Sequence, residues 1–592
     1  DVIHPYPEPE LRSANEEEQS LRLLYRKSLT FATGHGCAAD WDSQEGAIRA
    51  SAVKAVPFPV FETASITPQI FREDGSELLV SMTPLAGLDE KDNGMSSLEE
   101  VVERYGLWIV KKEKEAQGLP AEYTNAARQH LEQCRRCHER MLDGLSYLKT
   151  DKEAAKAFQL ANHAILLQQI RSFRESRTPE WNEEQKRILF KNKFISPDPC
   201  NPEYGRGTWR PFQIAFILMT VRSCSEDSSP DPFIKKYDNR NTVELIWFPT
   251  GGGKTEAYLG LTAFALFMRR MKNKEDTGTH VLMRYTLRLL TAQQFQRAAG
   301  LICAMEALRR DNEDLLGPHE YSIGIWLGGD TTPNTRQDAI QQYRKLIQGW
   351  TDAEYNFVLL RCPWCGAQIG SFGIRQNTGR GRGGRGRNQQ NTQLLGLDQR
   401  NNTIALHCAD PDCSFSKKLP VYVIDEDIYE KPPSLVIGTV DKFAMLAWRP
   451  EASALFGIGP DGKRMTSPPG LIIQDELHLI TGPLGSMAGL YETVIEELCI
   501  DRRNPARPVR PKIISSTATT RRYKEQIKGL YARKDAALFP PPGLDAGDSF
   551  FGTYARKSDG TLQRGRLYTG INAPGLGSVL TTNVRVYSSL LQ

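Results

Sequence analysis

The stretch IWFPTGGGKTEAYLGL, residues 246 to 261, constrains the fold more than any other part of the chain. A short apolar run enters three consecutive glycines, then a lysine, a threonine and a helical pattern. Backbone N–H groups opening a helix form a ready anion site, and glycines let a phosphate approach without side chains in the way. Such a loop needs a buried strand before it and a helix after it, so an α/β core is expected around it. Thr250, Gly251, Gly252, Gly253, Lys254 and Thr255 are the candidates to wrap a nucleotide's phosphates. Lys254 would reach the β- and γ-phosphates, and the Thr255 hydroxyl would hold Mg²⁺. Phe248 stands where the strict G-x-x-x-x-G-K-[ST] pattern has its first glycine. A plain glycine-rich turn before a helix is the competing reading.

Between about residues 206 and 540, short β-branched runs alternate with helical segments. VELIWF, HVLMRYT, SIGIWLG, PSLVIGTV, GLIIQDE and KIISSTA read as strands buried on both faces, as in a parallel sheet covered by helices. The expected fold is therefore α/β, a parallel sheet around the glycine loop, which the helicase resemblance set out below would make a RecA-like P-loop core. Residues 1–205 form an expected accessory domain, with strand-like pieces in VPFPVFETASI and SELLVSMTPL and helical spacing from about residue 96. Residues 352–425 read as an insertion in the core, and 541–592 as the start of a following segment. No repeat at solenoid spacing is present.

LIIQDELHLI supplies the second half of a nucleotide site. A strand delivers Asp475 and Glu476 together, with His478 following, about 220 residues after the glycines. Asp475 can hold a metal, through water, and Glu476 can orient and deprotonate an attacking water, the requirements of ATP hydrolysis. Alone, an Asp-Glu pair after a strand is most often a solvated helix start. Together, PTGGGKT, DELH and SSTATT resemble superfamily 2 helicases and translocases of the DExH type. The resemblance implies that Thr517 and Thr519 couple hydrolysis to movement. WRPFQIAF resembles an adenine-reading element, in which Gln213 would contact the base edge with Phe212 or Trp209 nearby; an ordinary helix-surface glutamine is the alternative. In such proteins, loops at the carboxyl ends of the sheet grip a nucleic-acid backbone. The matching positions are Thr286, Arg288 and Gln293, then Gly328 and Gly329, then Thr439, Asp441 and Lys442. Hydroxyls, amides and cations of this kind contact phosphate and sugar without reading bases.

Cys362 and Cys365 in CPWCG have zinc-knuckle spacing, and Cys408 and Cys413 follow after 42 intervening residues. Four thiolates would close a tetrahedral structural zinc site, a zinc-ribbon-like insertion; His407 could replace one cysteine, and four buried thiols are the bland alternative. Inside the insertion, SFGIRQNTGRGRGGRGRNQQNTQL carries five arginines and no acid, the composition of a disordered segment able to lie against phosphates or bases. CRRCH, Cys134 to His138, matches a haem-attachment pattern but sits in a helical stretch, where ordinary helix residues are the better reading.

The net charge of +4 permits nucleic-acid binding without arguing for it. No apolar run approaches the roughly 18 residues of a membrane helix. The polar, proline-rich N-terminus is unlike a signal peptide, and it opens without methionine, so trimming or a start further upstream is expected. Eleven cysteines, an odd number in a long chain, are unlike a secreted disulfide scaffold and favour a reducing cytoplasm.

FATGHGCAADW, WRPFQIAFILM, IWFPTGGGKTEAYLGL and QDELHLITGPLGSMAGLYE further resemble the helicase subunit of the bacterial DISARM anti-phage system. That resemblance implies DNA binding, a DrmB-like partner subunit and a role beside a DNA methyltransferase in recognising foreign DNA; single strands or overhangs are the favoured DNA, and the motifs above call for ATP, Mg²⁺ and structural Zn²⁺. Helicases of this class use two RecA-like lobes, and no second lobe is visible after SSTATTRRYKEQIKGL; a longer polypeptide is expected, with a lobe supplied by another chain as the alternative. An RNA helicase, or a nucleotide-gated DNA-binding scaffold that does not travel, is the alternative. If the arginine loop gates the site, deleting residues 376–390 changes DNA affinity or DNA-stimulated turnover. Unchanged values in a filter-binding and ATPase comparison would dismiss the gate.

Overall fold

In a computed structural model of the chain, the described residues are 3–6, 15–35, 37–42, 48–172, 176–182, 184–185, 187–203, 205–225, 239–248, 252–286, 288–329, 331–348, 354–374, 391–517, 521–571 and 578–591. Their contacts divide into two compact units. One comprises residues 1–70, 105–136 and 540–592, the other residues 71–104 and 137–539. Thr250, Gly251, Thr519 and the arginine-rich stretch lie outside the described residues.

The larger unit is built on an eight-stranded sheet. Its strands are β1 (Val243–Trp247), β2 (Val281–Tyr285), β3 (Ile323–Trp326), β4 (Val421–Tyr422), β5 (Leu435–Thr439), β6 (Leu471–Gln474), β7 (Lys512–Thr517) and β8 (Ala536–Phe539). They lie in the order β4-β3-β5-β2-β6-β7-β1-β8, and every neighbouring pair is parallel. The six runs expected as strands are all present and, apart from the half-buried Trp247, buried along their length. Two edge strands escaped the sequence reading. β4 has only two residues, and AALF at β8 lacks β-branched side chains. The helices Lys254–Lys272 and Arg288–Asp311 both pack against Lys152–Ile170. This is the α/β core that the sequence implied.

Helices Met95–Ala116, Thr124–Thr150 and Lys152–Ile170 fall where the spacing predicts them. SELLVSMTPL corrects the expected strand. Only Val80–Ser81 is extended, and Met82–Leu85 turns helical because Ser81 caps it, its Oγ accepting from Thr83 N. In the smaller unit, Leu23, Ala126, Ala127, Leu131 and Leu544 form a core. Three short antiparallel pairings also fall there, among them Val60–Ala64 with Arg564–Thr569. Segments far apart in sequence thus share one unit, which local periodicity does not disclose. No helix among the described residues is long and apolar enough to cross a membrane.

The sheet interior also buries charge. Glu244 on β1 accepts from Arg140 Nη1 and Nη2 at 3.1 and 2.5 Å and from Lys512 Nζ on β7 at 2.7 Å. Burial opposes its charge, but Arg140 and Lys512 outweigh that and hold the carboxyl below its ordinary range. Burial pushes the Lys512 ammonium down to about 8 against the pull of Glu244. Substituting Glu244→Ala leaves two cations buried together, and breaking such a cluster costs about 3–5 kcal/mol. Urea unfolding should show a loss of that size; a change below about 1 kcal/mol would mean that the cluster relaxes into water.

Candidate nucleotide site and metal centre

Parallel strands put all their carboxyl ends on one edge, so Phe248 after β1, Thr517 at the end of β7 and DELH after β6 come side by side there. Gly253 adopts φ +98°, a left-handed conformation that favours glycine. A Cβ on it would come within 2.7 Å of Gln213 Nε2. Behind the loop, Phe248 stacks on Phe212 with centroids 4.2 Å apart. The phenylalanine that breaks the strict motif therefore ties the loop to WRPFQ. Trp209 is buried and donates through Nε1 to Asn162 Oδ1 at 2.7 Å.

Gln213 donates to Gly253 O at 2.8 Å and accepts from Arg210 N at 2.9 Å, while Arg210 Nη1 donates to Gly252 O at 2.6 Å. Arg210 was missed by the sequence reading, although it lies within the same quoted element. Lys254 Nζ donates to Phe248 O at 3.0 Å and Thr517 O at 3.3 Å. Burial lowers its ammonium pKa, with Glu476 and Asp475 pulling it back up.

Asp475 is gripped on both oxygens. Tyr258 Oη donates to Oδ2 at 2.8 Å; Ser516 Oγ donates to Oδ1, as does Glu476 N at 2.9 Å. The same Tyr258 hydroxyl lies 3.1 Å from Thr255 Oγ1, so one phenol links the two residues expected to hold Mg²⁺. Neither Tyr258 nor Ser516 was singled out from sequence. Tyr258 looks like any aromatic on a buried helix face, and Ser516 is one of two adjacent serines. Glu476 has φ +50° and ψ 49°, a left-handed conformation costing about 1–3 kcal/mol in a non-glycine residue and concentrated at functional sites. His478 Nδ1 lies 3.4 Å from Glu476 Oε2 and 3.3 Å from Thr517 Oγ1, joining DELH to SSTATT.

Among the expected strand-gripping residues, two loops meet. Lys442 Nζ donates to Asn334 Oδ1 at 3.2 Å and pairs with Asp425 Oδ2 at 2.7 Å. A Cβ on Gly329 would meet the same Asn334 amide at 2.7 Å. Gly328 O accepts from Thr331 N and Thr332 N, closing that loop. Burial pushes the Asp425 carboxyl up to about 6, with Lys442 opposing. Among the described residues, the hydroxyls of Thr286, Thr332 and Thr439 are buried with no hydrogen-bond partner, following β2, following β3 and ending β5, three neighbouring strands. Asp441 and Gln293 are exposed. Arg288 opens its helix, and its side chain lies outside the described part of the chain.

Cys362, Cys365, Cys408 and Cys413 are buried with their sulfurs all within 4.8 Å of one another. Zn–S bonds of about 2.3 Å in a tetrahedron put sulfurs about 3.8 Å apart, so the cluster fits one zinc. The 3.4 Å between the Cys365 and Cys408 sulfurs is far beyond a disulfide bond. Arg171 stacks on Trp364 at 3.7 Å, and Arg177 pairs with Asp410 at 2.7 Å. His407 is a correction. Its Nδ1 meets Cys408 O and its Nε2 faces Asp398, so it stands outside the ligand set. Cys134, Cys137 and His138 do not gather either, since the four-cysteine cluster is the one metal-sized group found among the described residues. Purified protein should carry one zinc per chain by elemental analysis, and Cys365→Ser should lose most of it; retained zinc in that variant would remove the tetrathiolate assignment.

No protein-family model matches the sequence. The DUF1998 helicase MrfA matches at 15% identity over 55% of this chain and 32% of its own, with a TM-score of 0.25. Its DNA-bound structure matches at 14% identity over 59% and 27%, with a TM-score of 0.27. Superpositions so slight carry no argument. Sequence similarity is far stronger: 34% identity over 615 aligned residues to DISARM protein DrmA of Bacillus paralicheniformis. The chain spans about half (50%) of that relative's length. Over 96% of its own length the chain is thus similar in sequence to DISARM protein DrmA, in line with the resemblance its motifs carry.

Proposed function

We propose that this chain binds and hydrolyses ATP at the carboxyl ends of β1, β6 and β7 and uses the cycle to move along or remodel DNA in anti-phage defence. The observation that supports it best is the convergence of Lys254, Thr255, Asp475 and Glu476 on one edge, with Thr255 and Asp475 already joined through Tyr258. Thr255 and Asp475 would hold Mg²⁺, which when bound neutralises phosphate charge. Lys254 exchanges the carbonyls of Phe248 and Thr517 for phosphate oxygens. Glu476 takes the proton of the attacking water. Gln213, whose side-chain amide meets the loop at Gly253 O, reads the adenine edge. Thr250 and Gly251 complete the phosphate loop.

In this reading residues 1–205 serve as the accessory region and 206–540 as the first motor lobe. Residues 352–425 form its zinc-stapled insertion. Thr286, Arg288, Gln293, Gly328, Gly329, Thr439, Asp441 and Lys442 grip the DNA backbone. Thr517 and Thr519 pass the state of the nucleotide to that grip, with His478 as the contact. A DrmB-like subunit is the expected partner, and the name of the similar DISARM protein is what favours a defence role.

Lys254→Ala should abolish nucleotide binding, whereas Glu476→Gln should bind nucleotide and stop turning it over. The measurement is steady-state ATP hydrolysis by the full-length polypeptide, with no nucleic acid, single-stranded DNA, duplex DNA or RNA. DNA-stimulated turnover lost in Glu476→Gln supports the motor. Stronger stimulation by RNA would move the substrate to RNA. DNA binding without stimulated turnover would make the chain a nucleotide-gated scaffold.

A further inference from the structure

We infer that Tyr258 is a positioning residue that presets the two magnesium ligands before the metal arrives; the inference rests on the nucleotide site proposed above. Tyr258 lies one helical turn past Lys254, and its side chain is fully buried. Its hydroxyl reaches Asp475 Oδ2 at 2.8 Å and Thr255 Oγ1 at 3.1 Å. A carboxylate can only accept, so the single phenol proton goes to Asp475, and the Thr255 hydroxyl donates to the phenol oxygen. That leaves both Thr255 lone pairs directed away from the phenol. Ser516 and Glu476 N hold the other carboxylate oxygen, so the plane of the carboxylate is fixed from both sides.

A hydroxyl tucked between two metal-binding side chains serves no packing need that phenylalanine would not meet. Tyr258→Phe keeps the ring and removes the hydroxyl that joins Thr255 on helix Lys254–Lys272 to Asp475 just after β6. Partners behind metal ligands tune metal affinity, and losing one typically costs 10–100-fold. Lys254 and the glycine loop are untouched, so binding of nucleotide without metal stays the same.

The test uses the full-length polypeptide and two readouts besides turnover. Mn²⁺, a paramagnetic stand-in for Mg²⁺, is titrated in the presence of a non-hydrolysable ATP analogue and followed by electron paramagnetic resonance. A fluorescent ATP analogue is titrated in excess chelator. The expected result for Tyr258→Phe is Mn²⁺ affinity weakened 10-fold or more, with metal-free nucleotide affinity unchanged within twofold. An equal loss in both titrations would overturn the inference, because it marks a general packing defect. Unchanged Mn²⁺ affinity would overturn it too. If the parent chain binds neither nucleotide nor Mn²⁺–nucleotide, the nucleotide-site reading falls and takes this inference with it.

Discussion

Parallel alignment of the eight strands is the constraint on which the rest of the larger unit depends. Because each neighbouring pair runs the same way, each strand's carboxyl end faces the same edge, and loops hundreds of residues apart in sequence meet there. Phe248 follows β1, Thr517 ends β7 and DELH follows β6, three strands side by side. The alignment is held by apolar strands buried on both faces and by the Glu244 cluster, which fastens β1 to β7 near their starts. A buried ion cluster is weak as a source of stability but costly to break, which suits it to fixing register between two strands that carry the site.

At the carboxyl edge, polar groups replace apolar ones. Ser515, Ser516 and Thr517 are buried on β7, and Ser516 and Thr517 face Asp475 and His478. Buried polar groups must find partners or lose stability, so the edge is a network in which few members can move alone. Lys254 rests on two loop carbonyls, Asp475 accepts from three donors, and Glu476 sits in a left-handed conformation. Threonine hydroxyls just after β2, at the end of β5 and in the loop after β3, without a partner among the described residues, stand apart from this pattern on the neighbouring stretch of the same edge.

Much of this was legible in the sequence because the chemistry is local. The phosphate loop, the Asp-Glu pair and the CxxC pair each need residues within a few positions of one another. The six main strands announce themselves by short runs rich in Val, Ile and Leu, even where one charge such as Glu244 or Arg284 interrupts them. What escaped the reading was set by contact. His407 neighbours a cysteine ligand in sequence, yet its ring is drawn to Asp398. Met82–Leu85 became a helix because Ser81 could cap it. Arg210, Tyr258 and Ser516 carry no sequence mark of their own, since an arginine before proline, a tyrosine on an apolar helix and a serine in a strand are common.

The sequence by itself determined the kind of core, a parallel sheet around a glycine-rich loop, and the chemical identity of its metal and nucleotide candidates. It did so because strand burial and loop geometry follow from residue types a few positions apart. Tertiary structure alone decided the rest. It paired residues 60–64 with 564–569, and it excluded His407 from the cysteine cluster. It put Phe248 against Phe212, and it placed one phenol between Thr255 and Asp475. Those outcomes depend on which surfaces meet when the chain closes, and distance along the sequence holds no record of that.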